Sequence, residues 1–363
     1  MNEINIFDKE CIDKINYVRF KNTYIPIINK NIICNSLYLD NDKRIKSNLY
    51  KKVVIFFIKV TNTNFFYEEI TQMSLDKKIL KKLNKIDNYA YSSVYIGMEG
   101  ISQRFTLQLF DNFGDTIGYA KIAKKTIYIN NIIKEVENLN YLKKLKLKSA
   151  KVPTVVLFDE DNGIFVQSTE KKLKQDNGKL NMRHIKFLSE LYKKTIKIYP
   201  LKDSEFYNHI KHIQQKTNNE KLISISNKVM HNIKMKNIQY NYSHGDFYQP
   251  NIKKYKDILY IYDFENSKEH PVYFDLFHYI LSEKLLSKRK NKKKLLKNVL
   301  ENNKYIDEFE KINKLDKNVR KEMLLIYLYE IIYEYLVVSK LDPNEERVII
   351  NYIETINILI WNN

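Results

Sequence analysis

The spacing of apolar residues changes character once along this 363-residue chain, and that change constrains the fold most. Between residues 89 and 168, the segments YAYSSVYIG, RFTLQLFD, TIGYAKIA, TVVLFD and GIFVQS are short runs rich in β-branched and aromatic residues, with glycine-containing turns between them. Such runs predict strands. One helix is expected to interrupt them, over residues 129–145. From about residue 180 the longer apolar segments read as helices: MRHIKFLSELYKKTIKIY, FDLFHYILSEKLL, MLLIYLYEIIYEYLVV and ERVIINYIETINILI. The pattern is α+β and two-lobed: a small antiparallel sheet with one helix, then a mostly helical half.

The first 88 residues are less decided. VRFKNTYIPII and KKVVIFFIKV fit either strands or short buried helices, and SLYLDNDKRIKSNLYKK reads as helical. Residues 1–88 are therefore taken as an N-terminal extension of open fold, 89–168 as an N-lobe and 169–363 as a C-lobe.

Composition excludes several classes. An apolar fraction of 44% against 29% charged residues supports a core and argues against global disorder. Two cysteines, Cys11 and Cys34, exclude a disulfide scaffold and a multi-cysteine zinc site; both are expected to be inert thiols. MNEINIFDKECIDK has no secretory apolar region, and the run from Met323 to Val338 is interrupted by Glu330 and Glu334. A cytoplasmic location without a transmembrane segment is expected. The net charge of +19 raises nucleic acid or an anionic membrane as partners. Lysine is spread along the whole chain together with Asn, Ile and Tyr, as an AT-rich coding sequence would give, and reads as solubilising surface. No segment has an RNA-stacking signature, so nucleic acid is not the expected partner. The concentrated patch is KLLSKRKNKKKLLK, residues 284–297, with eight basic residues and no acid. It reads as a solvated loop between helices, with an anionic membrane surface as the alternative.

Glycine is scarce, at seven residues, so its positions carry information. Gly97, Gly100, Gly114 and Gly118 fall within twenty-two residues, and Gly245 stands alone in SHGDF. Neither a GxxxxGK[ST] loop nor a GxGxxG fingerprint is present. The informative stretch is SHGDFYQPNIKKYKDILYIYDFENSKEHPVYFDLFHYIL. Asn251 follows Asp246 by five residues, and Asp263 comes twelve residues later at the end of an apolar run. With KKYKD as a turn and ILYIY as a strand, a hairpin returns Asp263 to the loop that bears Asp246 and Asn251. Two carboxylates and an amide then converge, a set of hard oxygen donors suited to Mg²⁺ and phosphate chemistry.

HGDFYQPN, then YDFE, then PVYFDL resembles the aminoglycoside/choline-kinase-like phosphotransferase family, which is built on the protein-kinase fold. The resemblance covers about residues 92–340. It implies that Asp246 is the catalytic base or orients the acceptor hydroxyl, and that Asn251 and Asp263 hold magnesium on the nucleotide phosphates. It further implies that Asp275 braces the catalytic loop and that His244 packs and positions it. Upstream, the resemblance requires a strand lysine for the phosphates and a helix glutamate to hold it. Lys121 in GYAKIA supplies the first. Of Glu135 and Glu137 in INNIIKEVENLNYL, Glu135 borders the face formed by Ile132, Val136 and Leu139, so Glu135 is the expected partner. Gly97 and Gly100 mark the phosphate-covering turn, and Gln167, Ser168 and Thr169 the backbone that meets the base. The implied cofactors are Mg²⁺ and ATP or GTP. The acceptor is a small hydroxyl compound: a sugar, polyol, amino alcohol or aminoglycoside. A bacterial surface-glycan member is a softer analogy than the fold, and it points to a sugar or polyol acceptor.

Two other classes compete. A metal-dependent phosphohydrolase could use His244, Asp246, Asp263, His270, Asp275 and His278 as ligands, but leaves Lys121 and Glu135 without a role. A non-catalytic basic binding module would rest on the 284–297 patch. Outside these readings, His270 is taken as a surface residue and His278 as a core residue.

Overall fold

The computed structural model describes residues 6–8, 14–20, 22–28, 30–36, 70–97, 104–123, 129–171, 173–287, 291–337 and 343–361. The expected helix at SLYLDNDKRIKSNLYKK, apart from Ser36, and the KKVVIFFIKV segment lie outside these residues, as do Cys11 and Gly100. The chain divides into two compact units: Met1–Lys146 with Val152–Lys174, and Leu147–Lys151 with Gln175–Asn363.

In chain order the strands up to Ser168 are β1 (Phe7–Asp8), β2 (Ile15–Phe20), β3 (Thr23–Pro26), β4 (Ile70–Leu75), β5 (Tyr91–Ile96), β6 (Arg104–Phe110), β7 (Thr116–Ala123), β8 (Ala150–Lys151), β9 (Val155–Asp159) and β10 (Ile164–Ser168). All but β8 form a nine-stranded sheet in the first unit, ordered β1-β4-β2-β3-β5-β6-β7-β10-β9. Its paired strands run antiparallel. The sheet is larger than the sequence suggested, because the N-terminal segment adds four strands through the β3–β5 pairing. VRFKNTYIPII is thereby resolved as strand. The two parts share one core: Tyr17, Met73 and Leu75 pack with Leu107, Leu109, Ile122 and Val166. Each fully buried leucine among them contributes about 2 kcal/mol of apolar transfer. The helix Lys30–Ser36 holds the turn between β6 and β7, where Asn35 donates to the Gly114 carbonyl at 2.9 Å. The expected helix spans Ile129–Leu145 and buries Ile132, Val136, Leu139 and Leu142. That spacing places all four on one face.

The second unit is mostly helical, with two small sheets. Its remaining strands are β11 (Lys174–Gln175), β12 (Lys197–Pro200), β13 (Asn237–Ser243), β14 (Ile252–Tyr255), β15 (Ile258–Ile261) and β16 (Lys268–Pro271). One sheet is ordered β11-β14-β15-β8 and the other β12-β13-β16. Two local readings are corrected here. The helix from Met182 ends at Thr195, and KIYP forms β12 against β13. Ile196 and Ile198 are exposed, so the helical apolar period breaks at that point. In KKYKD, the first three residues belong to β14 and the turn is confined to Lys256 and Asp257, where Lys256 takes a φ of +51°. The helix Arg320–Val337 buries Met323 through Tyr329 without a polar face. A helix apolar all round belongs inside a core. Its Glu330, 1% exposed, accepts from His209 Nδ1 at 2.9 Å. No helix of the described residues is long and apolar enough to cross a membrane.

In the basic stretch, Lys284 to Leu286 end the helix Phe274–Leu286, and Lys292 to Lys297 lie in the helix Lys292–Glu301, so these residues are helix where a loop was expected. Leu285 and Leu296 are buried, and Lys292 donates to Asn351 and pairs with Glu354 at 2.7 Å.

Candidate functional site

In the second unit β13 delivers the chain to His244, Gly245 and Asp246. Gly245 takes a φ of +81°, and a Cβ there would lie 2.2 Å from the Asn266 carbonyl oxygen. No larger residue fits, which explains the lone glycine of SHGDF. The N–H groups of His244 and Gly245 both donate to the Asp275 carboxylate, at 2.7 and 3.1 Å. Asp275 sits in the first turn of the helix Phe274–Leu286. Burial pushes its carboxyl above the ordinary range, against the pull of His244 and these two donors.

His244 is fully buried and both ring nitrogens are used. The Asp246 N–H donates to Nδ1 at 3.2 Å, so Nε2 carries the proton and donates to the Tyr262 carbonyl at 3.0 Å. Ser267 Oγ donates to the His244 carbonyl at 3.0 Å. His244 is thus a brace between the Asp246 loop and the segment before Asp263, with no nitrogen lone pair left for a metal.

Asp246 and Asn251 are brought together. Asn251 Nδ2 donates to the Asp246 Oδ2 at 3.0 Å and to its carbonyl at 3.0 Å. This turns the Asn251 amide oxygen away from Asp246, where it is fit to ligate a hard cation. The Tyr262 N–H donates to the Asn251 carbonyl at 3.2 Å, and the Tyr262 hydroxyl bonds the Pro250 carbonyl, so Asp263 is tethered one residue from that junction. Asp263 is left-handed, with φ 72° and ψ 57°. That conformation carries strain in a non-glycine residue. An amide oxygen and a carboxylate fit a magnesium ion, whose chemistry is to neutralise charge on phosphate oxygens.

His278, read from the sequence as a core residue, lies against Asp246. Its Nε2 lies 3.4 Å from Asp246 Oδ1, and the Tyr327 hydroxyl bonds its Nδ1 at 3.4 Å. A signal existed: His278 is three residues after Asp275 on one helix, so both face the same loop. His270, read as surface, is 1% exposed, with its ring stacked on Phe274 at a 3.8 Å centroid separation. Helix packing, invisible in the local sequence, covers it. Shortly beyond Asp246 in the chain, Tyr248 and Gln249 line a cavity of about 480 Å³, together with Lys179, Tyr279, Glu283 and Tyr305 among others. Burial, then the charges of Asp246, Asp263 and Glu283, push the Tyr248 phenol up.

In the first unit Lys121 lies on β7, paired with Thr106 of β6 and Phe165 of β10. Its Nζ donates to both carboxylate oxygens of Glu135, at 2.7 and 2.6 Å. Both residues are buried, whereas Glu137 is exposed. Gly97 follows β5, its N–H bonded to the Arg104 carbonyl at 3.2 Å. Gln167 is buried and its side-chain carbonyl oxygen has no hydrogen-bond partner. Gly118 permits the close approach of its backbone, since a Cβ there would lie 2.6 Å from the Gln167 carbonyl oxygen. Ser168 is fixed to Thr154 by its N–H and by its Oγ, each at 2.9 Å, and Thr169 follows at the end of the strand.

No family model matches the sequence, and no curated protein matches it. Solved structures do. The GDP complex of a wild-type aminoglycoside 2'-phosphotransferase-IIIa matches 79% of this chain and 100% of its own, with a TM-score of 0.50 at 14% identity. The chain has a protein-kinase-like fold. Two further structures align with this fold at lower scores. A choline kinase from Streptococcus pneumoniae matches 78% of this chain and 98% of its own, at 15% identity and a TM-score of 0.49. An amicoumacin kinase in complex with AMP-PNP and Ca²⁺ matches 77% of this chain and 92% of its own, at 15% identity and a TM-score of 0.47.

Proposed function

We propose that the protein is a Mg²⁺–nucleotide-dependent phosphotransferase that moves the γ-phosphate of ATP or GTP to a hydroxyl of a small molecule. The observation that carries this reading is the Asp246 carboxylate, one-third exposed and clasped on Oδ2 by Asn251. A carboxylate held on Oδ2 by Asn251, with His278 3.4 Å from Oδ1, keeps exposed lone pairs that can accept the proton of an acceptor hydroxyl. That oxygen attacks the γ-phosphorus while the bond to the leaving diphosphate breaks. Asn251 and Asp263 hold the cation on the phosphates. Lys121, fixed by Glu135, holds the nucleotide phosphates, with Gly97 at the covering turn and Gln167, Ser168 and Thr169 at the base. Asp275 and His244 act through the loop, by holding Asp246 in place.

The cavity lined by Tyr248 and Gln249, which follow Asp246 in the same loop, is the acceptor site in this reading. Its tyrosines, amide and carboxylate suit a sugar, polyol, amino alcohol or aminoglycoside, and a surface-glycan precursor is one such sugar compound. Cytoplasmic nucleotide is the donor. A phosphohydrolase is less well supported, because both His244 nitrogens are bonded to backbone and the carboxylate paired with His270 is Glu334, at 3.8 Å.

Nucleotide binding tests the proposal. ATP and GTP are titrated into the full chain with and without Mg²⁺. Binding that needs Mg²⁺, and that weakens in Asp263→Ala, is expected. Absence of Mg²⁺-dependent binding of either nucleotide would defeat it.

A further inference from the structure

Asp246 has two carboxylate oxygens, and the structure gives each a separate neighbour. Oδ2 accepts from Asn251 at 3.0 Å. Oδ1 lies 3.4 Å from His278 Nε2. The Asn251 contact comes from the same loop, five residues on, and moves with it. His278 belongs to the helix Phe274–Leu286, which also carries Asp275, so its contact references the carboxylate to a rigid element.

The imidazole is itself held. Its side chain is 15% exposed, the Tyr327 hydroxyl bonds Nδ1 at 3.4 Å, and the Phe274 ring lies parallel to it at 6.1 Å between centroids. With Nδ1 accepting from Tyr327, Nε2 carries the hydrogen and directs it at Asp246. Tyr327 is 1% exposed and comes from the helix Arg320–Val337. A chain of contacts therefore runs from the helical core through Tyr327 and His278 to Asp246. The 3.4 Å separations are long for hydrogen bonds, as is usual at catalytic contacts before substrate is bound.

We propose that His278 is the positioning residue for Asp246, fixing the carboxylate so that its remaining lone pairs face the acceptor hydroxyl, with Tyr327 setting the imidazole tautomer. This inference rests on the phosphotransferase reading and adds a residue to it. His278 need not take up the transferred proton: it already donates through Nε2, and the proton leaves on Asp246. A carboxylate displaced by about 1 Å costs on the order of 100-fold in turnover, so the contact has kinetic weight without touching substrate.

The experiment uses the full chain with His278→Ala, His278→Gln and Tyr327→Phe. Each is assayed for acceptor-dependent phosphate transfer and for nucleotide KM, and thermal unfolding is followed in parallel. His278→Ala is expected to lower kcat by roughly 10- to 100-fold with nucleotide KM unchanged. His278→Gln, whose amide can donate from a similar position, restores most of the loss, and Tyr327→Phe gives a fall of a few-fold. Wild-type kcat in His278→Ala overturns the proposal. So does a kcat loss in His278→Gln as large as in the alanine variant, at unchanged melting temperature.

A wild-type chain that transfers phosphate to no acceptor counts against the phosphotransferase reading and leaves the positional claim to crystallography. Crystal structures of the wild type and both His278 variants decide it. The Asp246 carboxylate is expected to change rotamer in His278→Ala and to stay in His278→Gln. An unchanged rotamer in His278→Ala overturns the inference whatever the activity.

Discussion

The Asp275 carboxylate receives two backbone donors from the loop before Asp246, His244 N–H at 2.7 Å and Gly245 N–H at 3.1 Å. One buried side chain at a helix start thus fixes the backbone on which the proposed base is mounted. The helix N-terminus favours the negative charge there, while burial opposes it.

Asp275→Asn tests that brace at nearly constant volume. The amide can accept on one atom and presents a donor on the other, so one buried N–H loses its partner. A cost of about 1–3 kcal/mol is expected in urea unfolding. Nucleotide affinity should change little and turnover should fall, because the loop shifts while Lys121 and Glu135 stay in place.

The Lys121–Glu135 pair is buried on both sides, at 5% and 1% exposure. Removing one partner leaves an uncompensated buried charge. Glu135→Ala is expected to destabilise the first unit by about 3–5 kcal/mol, and Lys121→Met/Glu135→Leu by less than Glu135→Ala alone. Chemical unfolding of both variants measures this. Both variants should also lose nucleotide affinity, which separates a phosphate-binding lysine from a merely structural one.

His184 links stability to pH. Its ring is buried, and Nδ1 accepts the Asn181 N–H at 3.3 Å, closing a capping box at the helix Met182–Thr195. Burial holds its pKa well below the ordinary 6.5, more than the neighbouring Asp176 raises it. On acidification the unfolded chain takes up this proton first. The stability His184 contributes is therefore complete above pH 6.5 and is lost as pH falls below it. Between pH 7 and pH 5 the loss should be about 2 kcal/mol from this residue. His270, buried beside Lys268, is depressed in the same direction and adds to the slope. Urea unfolding at both pH values, in wild type and His184→Gln, should show a smaller pH dependence in the variant.

Local chemistry made much of this legible in the sequence. Lys121 stood on an apolar strand, Glu135 at the rim of a helix face, and Gly245 at a position where a side chain meets the Asn266 carbonyl at 2.2 Å. These features depend on neighbours a few residues away or on a single close approach. The joining of β3 to β5 was not legible, because strand pairing partners are set by tertiary packing and not by a run of residues. His270 failed for the same reason. Lys268 and Glu269 precede it on β16, and its ring is covered by Phe274 of the helix that follows, with Glu334 of the helix Arg320–Val337 nearby. His278 was visible as an apolar-helix residue, but its contact with Asp246 requires that helix and the loop to be fixed together by Asp275.

Transfer of labelled γ-phosphate tests the central claim most directly. ATP and GTP with Mg²⁺ are offered to a panel of sugars, polyols, choline-like alcohols, nucleosides and aminoglycosides, with Asp246→Asn and Asp263→Ala alongside wild type. The account predicts transfer to one acceptor class, with both variants losing it by at least about 100-fold. Transfer that persists in Asp246→Asn at the wild-type rate, or its absence for every acceptor together with no Mg²⁺-dependent nucleotide binding, would contradict the account.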